Sequence, residues 1–211
     1  MNLFDSSIVK GWRPKELVGK DFIAIFTGAH GIANGLDAVL DAAHELKRRK
    51  RMDITFVFVG QGKMKPSLKA RTTEKGLINC IFLVPLPKEK LARLMSESDL
   101  GLMILANVPA FYHGTSPNKF FDYISSGLPV LNNYPGWLAD LIKENDCGFV
   151  VEPDNPSAFA DELEKAADHS SLKSKGQNGR ILAKRIFDRD LLANDWVEVV
   201  ESTYMLKDEP C

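Results

Sequence analysis

The feature that most constrains this chain is an alternation. Six short apolar runs, FIAIFTG (22–28), ITFVFVG (54–60), CIFLV (80–84), LGLMIL (100–105), PVLNN (129–133) and GFVVE (148–152), are separated by segments with helical spacing. Several runs are apolar at successive positions, not at every second one, as in strands whose sheet is covered on both faces. The intervening segments are 35–50, 64–75, 88–98, 117–126 and 137–145. In the first, Leu36, Val39, Leu40, Ala43 and Leu46 recur at helical spacing; in the third, Leu91, Leu94 and Met95 do. Strand–helix repetition of this kind predicts an α/β fold, a doubly wound parallel sheet of about six strands with right-handed crossovers. Further helices are expected at 157–169, 172–187 and 190–205. Residues 1–20 have no convincing element of their own and read as a lead-in from a preceding domain.

Composition removes several function classes. The net charge is −1, which argues against a general nucleic-acid binder. The three cysteines, Cys80, Cys147 and Cys211, are scattered without a Cys-x-x-Cys pair, so a disulfide scaffold or zinc site is not expected and a reducing cytoplasm fits. The first twelve residues, MNLFDSSIVKGW, have no apolar signal core. The most apolar stretch, 100–112, is interrupted by Asn107 and Pro109 and falls short of the about 20 residues a bilayer needs. No His, Asp and Glu cluster has metal-ligand spacing, and no Ser-His-Asp or Cys-His set stands out.

The segment HGTSPNKFFDYISSGLPV (113–130) carries the chemistry. Ser116 or Thr115 is suited to cap a helix there, with Pro117 at its first position, Gly127 ending it and Pro129 preventing its continuation. Lys119 then lies in the first turn, where the helix dipole repels a cation, and it precedes Asp122 in the poorer order for an ion pair. An anionic ligand resolves the conflict. Free N–H groups, hydroxyls and an ammonium make a phosphate site, and Asp122 one turn deeper is an acceptor for two ribose hydroxyls. The site would lie at the carboxyl end of the fourth strand, where open α/β sheets bind ligands. The alternative is a surface Lys119–Asp122 pair on a well-capped helix.

SPNKFFDYISSGLPV resembles the donor-binding helix of the family-four retaining glycosyltransferases of GT-B fold, in the Ser-Pro-Asn-Lys form of bacterial surface-polysaccharide enzymes. Asp122, Gly127, Pro129 and Val130 keep the family's acidic residue, glycine and Pro-Val spacing. FTGAHGIANGLDAVLDAAHEL is similar to the family's first strand, glycine loop and helix; FVFVGQG to its second strand and glycine turn; IFLVPLPKEKLARLMSESDLGLM to the segment lining its base pocket. The resemblance covers about residues 20–205. It implies a nucleotide-sugar donor domain at 21–188, Rossmann-like, with a helix at 189–211 that would cross back to an N-terminal acceptor domain lacking from the chain. Transfer by the chain alone would then be weak or absent. A UDP-sugar is the expected donor, as a substrate and not a cofactor, with no metal ion required, and a polysaccharide or lipid-linked acceptor at the membrane surface is the expected second substrate.

The resemblance also implies roles. Lys119, Gly28, His30, Gly31, Ser116 and Asn118 would meet the donor diphosphate, Asp122 the ribose, and Val84, Pro85 and Leu86 the base. His113, Gly114 and Thr115 would lie near the sugar. No catalytic base is assigned. Three positions depart from the family. Gly114 stands where an acidic residue is usual, and Ala29 and Asn34 stand where the first loop usually carries an arginine and a lysine. Lys119 is the natural substitute for those charges. Several residues have two readings. His30 is either a phosphate or acceptor contact or a polar loop residue. His113 is either a donor contact or an exposed loop histidine, and Lys63 either approaches the phosphates or is solvated. The basic run 47–51 either meets an anionic membrane or complements its helix C-terminus. Rival functions are a nucleotide-sugar 2-epimerase of the same fold and a non-catalytic α/β binding module.

Overall fold

The computed structural model describes Phe4, residues 10–168 and residues 171–205. Six parallel strands, β1 (Phe22–Thr27), β2 (Ile54–Val59), β3 (Cys80–Leu83), β4 (Leu100–Met103), β5 (Val130–Asn132) and β6 (Gly148–Val150), form one sheet in the order β3-β2-β1-β4-β5-β6. The order reverses between β1 and β4, so the crevice at their carboxyl ends is the switch point at which such sheets bind ligands.

The continuous apolar runs are explained by cover on both faces. Phe22, Ala24 and Phe26 of β1 pack with Phe56 and Phe58 of β2 beneath helices α1 (Asp37–Arg48), α2 (Lys65–Lys75) and, farther along the chain, α7 (Pro156–Asp168). Ile23, Ile25, Val57 and Val59 face the opposite side, against α3 (Lys88–Met95), α5 (Asn118–Ser126), α6 (Trp137–Glu144) and α8 (Leu172–Ile186). The five positions chosen by periodicity, Leu36 at the cap and four within α1, are all buried. The first described residues pack on this frame: Leu17 is fully buried, and the Arg13 guanidinium donates to Glu97 and to the Lys20 carbonyl.

Two local expectations change. Pro117 is the cap residue itself, extended at φ −76° and ψ 128°, and no side chain among the described residues caps α5. The reason is a short helix absent from the sequence reading, α4 (Ala110–Gly114), whose Phe111 carbonyl takes the Thr115 hydroxyl at 2.5 Å, while Ser116 is exposed. The other end is as expected: Gly127 is left-handed at φ 73°, and the N–H groups of Gly127 and Leu128 close the helix.

The basic run also finds its use inside the fold. Arg49 donates to Glu45, Asp161 and Glu164, and Arg51 to Asp53 and Asp168, so the arginines clamp α1 to α7. Among the described residues no helix is long and apolar enough to cross a membrane. The last helix, α9 (Arg189–Met205), exposes Leu191, Leu192, Trp196 and Val199.

Candidate functional site

The site is built where β1, β2 and β3 end. Two loops are fastened together there. The Gly28 N–H donates to the Val59 carbonyl at 3.0 Å, the His30 N–H to Gln61 at 2.9 Å, and the Met64 N–H back to His30 at 2.9 Å. A Cβ on Gly60, at φ 151°, would stand 1.9 Å from the Gly28 oxygen, and one on Gly62 would stand 2.4 Å from the His30 oxygen. Glycine is therefore required at both positions. This fastening uses two of the loop's four amides. Gly28 and His30 have no N–H left for a phosphate, and the amides of Ala29 and Gly31 are those without a partner among the described residues.

Lys119 comes to this loop from α5. Its Nζ lies 4.3 Å from the Phe26 ring centroid and 2.9 Å from Asn34 Oδ1, and its Cε would lie 3.4 Å from a Cβ on Gly28. Lys119 thus turns toward the loop after β1, away from the surface pairing with Asp122. Burial pushes the ammonium down to about 8. Asp122 is half-buried, takes no hydrogen bond among the described residues, and is raised by burial against the opposing pull of Lys88.

A second lysine was not singled out by the sequence. Lys65 opens α2, is buried, and donates to the Gly60 and Leu83 carbonyls at 2.7 and 2.6 Å. The signal existed, since a lysine in a first helical turn had already marked Lys119. Lys63, which the sequence did mark, is exposed. Neither Lys65 nor Lys119 has a carboxylate partner among the described residues.

His30 is placed differently from expectation. Its imidazole is fully buried among Phe26, Phe58 and Phe82, with ring centroids 6.0 to 6.3 Å away, and neither nitrogen has a hydrogen-bond partner among the described residues. It faces inward because the backbone clamps to Gln61 and Met64 turn the loop over it. Burial first, and then the charges of Lys65 and Lys119, push it down to about 4. An unfolded chain takes up this proton near pH 6.5 and the folded chain does not, so stability is lost as pH falls from about 6.5 to about 4. His30→Leu is expected to remove about 2 kcal/mol of the stability difference between pH 7 and pH 4.5. Urea unfolding at both values checks this, and an unchanged pH slope would refute it.

The remaining sequence-selected residues surround this centre. Val84 and Pro85 are exposed at the end of β3, and Leu86 is half-buried against the α3 and α5 side. Ser116 and Asn118 are exposed at the start of α5. The Thr115 carbonyl accepts the Trp137 indole N–H at 3.1 Å. Gly114 is exposed, and a Cβ there would meet nothing within 4 Å. The His113 side chain lies outside the described part of the structure. A neighbouring cavity of about 240 Å³, lined by Asp37, Asp41, Glu152 and Asp154 among others, has the wrong charge for a phosphate. Among the described residues no group of three or more His, Cys, Asp or Glu is placed to hold a metal ion.

Comparison with known proteins agrees with this architecture. The chain is 24% identical over 127 residues to the amylovoran biosynthesis glycosyltransferase AmsK of Erwinia amylovora, covering 60% of this chain and 31% of that protein. It is 23% identical over 197 residues to the O-antigen chain mannosyltransferase C of Escherichia coli, covering 92% of this chain and 50% of that protein. The fold superposes on Anabaena Alr3699/HepE, solved in complex with UDP, with a TM-score of 0.77 at 17% identity over 95% of this chain and 55% of that one. The chain spans between 31% and 50% of the length of the curated relatives it matches. The family model for glycosyl transferases group 1 matches residues 10–180, and the chain belongs to that family of transferases.

Proposed function

We propose that the chain is the nucleotide-sugar donor domain of a retaining glycosyltransferase of surface-polysaccharide synthesis, with a UDP-sugar as donor. One observation carries this reading: the Lys119 ammonium lies against the Gly28 loop with a neutral amide for a partner and, among the described residues, no carboxylate. A cation held half-buried without a counter-ion leaves its charge available to an anionic ligand.

In this reading the diphosphate lies between Lys119 Nζ, the amides of Ala29 and Gly31, and the uncapped start of α5 at Ser116 and Asn118. Asp122 takes the ribose hydroxyls, whose donation would favour the ionised carboxylate that burial disfavours. The base rests on Val84, Pro85 and Leu86, and the sugar faces residues 113–115. As the bond from the anomeric carbon to the diphosphate breaks, negative charge gathers on the departing oxygens and Lys119 stabilises it. No metal ion enters this account, and no protein nucleophile is assigned. Residues 1–20 would lead in from an acceptor domain, 21–188 would be the donor domain, and α9 would cross back. The partial coverage of the relatives and the exposed apolar residues of α9 support that division. A lipid-linked acceptor stays part of the proposal, without help from Arg49 and Arg51, which are engaged with α7. The epimerase reading lacks an acid–base set, and the family match favours a transferase over a binding module.

Calorimetric titration with UDP, GDP and ADP tests the reading. Saturable binding of one nucleotide is expected, weakened about tenfold or more by Asp122→Ala, the order expected for loss of charged hydrogen bonds. An affinity unchanged in Asp122→Ala would remove Asp122 from the site, and binding of none of the three would overturn the donor-domain reading for this chain.

A further inference from the structure

We propose that Asn34 is a positioning residue that aims the Lys119 ammonium at the donor diphosphate; the inference rests on the donor-site reading above. A lysine side chain without an ion-pair partner has many rotamers open to it, and binding an anion would have to order it. Here the ordering is already done. Phe26 supports the ammonium from one side at 4.3 Å, and Asn34 Oδ1 accepts from it at 2.9 Å.

Asn34 is itself held at both ends. Its Nδ2 donates to the Ala29 carbonyl at 2.8 Å, which fixes the amide with its oxygen toward Lys119. Its backbone closes the turn Ile32–Asn34 by donating to the Gly31 carbonyl at 3.2 Å. That turn is tied to the exit of β4, because the Ala106 N–H donates to Ala33 and the left-handed Gly35 leaves no room for a Cβ against the Ala106 backbone. One amide therefore couples the glycine loop to α5 across 85 positions of sequence. Asn34 stands where related loops are expected to carry a lysine, so the position that lacks the charge holds the charge that replaces it.

A neutral acceptor suits this task. A carboxylate would orient the ammonium equally well but would cancel its charge and repel the diphosphate. Among the described residues His30, in the loop after β1, feels the charge of this ammonium and is neutral at pH 7, and Asp122 lies one turn along α5 without a hydrogen bond to it. Neither supplies the orienting contact that Asn34 makes.

The test uses the 211-residue chain and its Asn34→Asp, Asn34→Leu and Lys119→Met variants. Two quantities are read from about pH 6.5 to about 9.5: the Lys119 titration by the NMR shift of its terminal carbon, and UDP affinity by calorimetry. The wild-type lysine is expected to titrate near 8. Asn34→Asp should raise that midpoint by about one unit or more and weaken UDP at pH 7 about fivefold or more. Asn34→Leu should lower the midpoint and weaken UDP about fivefold, with folding checked by amide spectra. A merely structural role would leave the midpoint in place. The inference is overturned if the midpoint is the same in wild type, Asn34→Asp and Asn34→Leu, or if Asn34→Leu binds UDP within about twofold of wild type while Lys119→Met is weakened about tenfold or more. Absence of binding of UDP, GDP and ADP alike by the wild type would overturn the donor-site reading and this inference together, and a wild type that binds GDP or ADP in place of UDP is tested with that nucleotide.

Discussion

Lys119→Met is expected to make the chain more stable and, in the same variant, to weaken nucleotide binding by about tenfold to a hundredfold. The two effects have one cause. Burial holds the ammonium at about 8 against an ordinary value of 10.5, a penalty of about 3 kcal/mol when the group is charged at pH 7. The Phe26 face and the Asn34 oxygen return part of it, so replacement by an apolar side chain of similar length should gain about 1–2 kcal/mol. The sign with pH follows. Between about 8 and 10.5 the unfolded chain holds a proton on this lysine that the folded chain has lost, so wild-type stability rises across that window while the variant's does not. Below pH 8 the full penalty applies and the gain in the variant is largest. Urea unfolding at pH 7 and pH 10, beside UDP calorimetry, measures both effects. A variant that is destabilised at pH 7, or that keeps wild-type affinity, would show that the ammonium is structural. A cation retained at a net cost to the fold is the stability–function trade-off expected of a binding group.

The largest loss of stability is expected from Tyr123→Ala, about 3–5 kcal/mol by analogy with other buried aromatics cut to alanine. Tyr123 is fully buried on α5, one turn beyond Lys119, and its ring lies against β4 at Gly101, where a Cβ would meet ring carbons at 2.6 Å. Its hydroxyl does work that no strand partner does. The pairing of β1 with β4 runs through Ala24–Leu100 and Ile25–Gly101, and farther along β1 the Thr27 N–H donates to the Tyr123 oxygen at 2.9 Å. The O–H lies 3.3 and 3.4 Å from the Ile25 and Leu102 carbonyls, one on each of the two strands. Tyr123→Phe keeps the ring and leaves the Thr27 amide unpaired, at a cost of about 1–3 kcal/mol. The difference between the two variants in urea separates packing from hydrogen bonding, and equal losses would mean that the hydroxyl carries the whole effect. Because Lys119 shares this helix, Tyr123→Phe should also weaken UDP binding, through the seating of α5.

The position of the candidate site was legible in the sequence because its signals are local. The glycines after two apolar runs, and a lysine in a helical first turn ahead of an aspartate, each span a few residues. Lys65 carries the same signal, a lysine in a first helical turn, while Lys63 two positions earlier is exposed. The capping of α5 departs from its sequence signal for a different reason. Thr115 and Ser116 have the residue types of a cap, but the Thr115 hydroxyl is drawn back to the Phe111 carbonyl of a helix whose own periodicity is too short to detect.

By itself the sequence determined the sheet and its layers, since runs of successive apolar residues leave no face for water and helical spacing between them leaves one connection. It also determined that something anionic should be sought at the start of α5, because a cation there opposes the helix dipole. Only the tertiary structure decided which partner that cation has. Asn34 reaches Lys119 across 85 positions, Arg49 reaches Glu164 across 115, and Thr27 reaches Tyr123 across 96. Such pairs are set by the order in which strands lie side by side, and periodicity, which reads only the few residues of one element, contains no information about that order. His30 makes the same point in the other direction. A histidine between two glycines reads as a phosphate or acceptor contact or as a polar loop residue, yet backbone clamps to Gln61 and Met64, both on the neighbouring strand's loop, turn it into the interior.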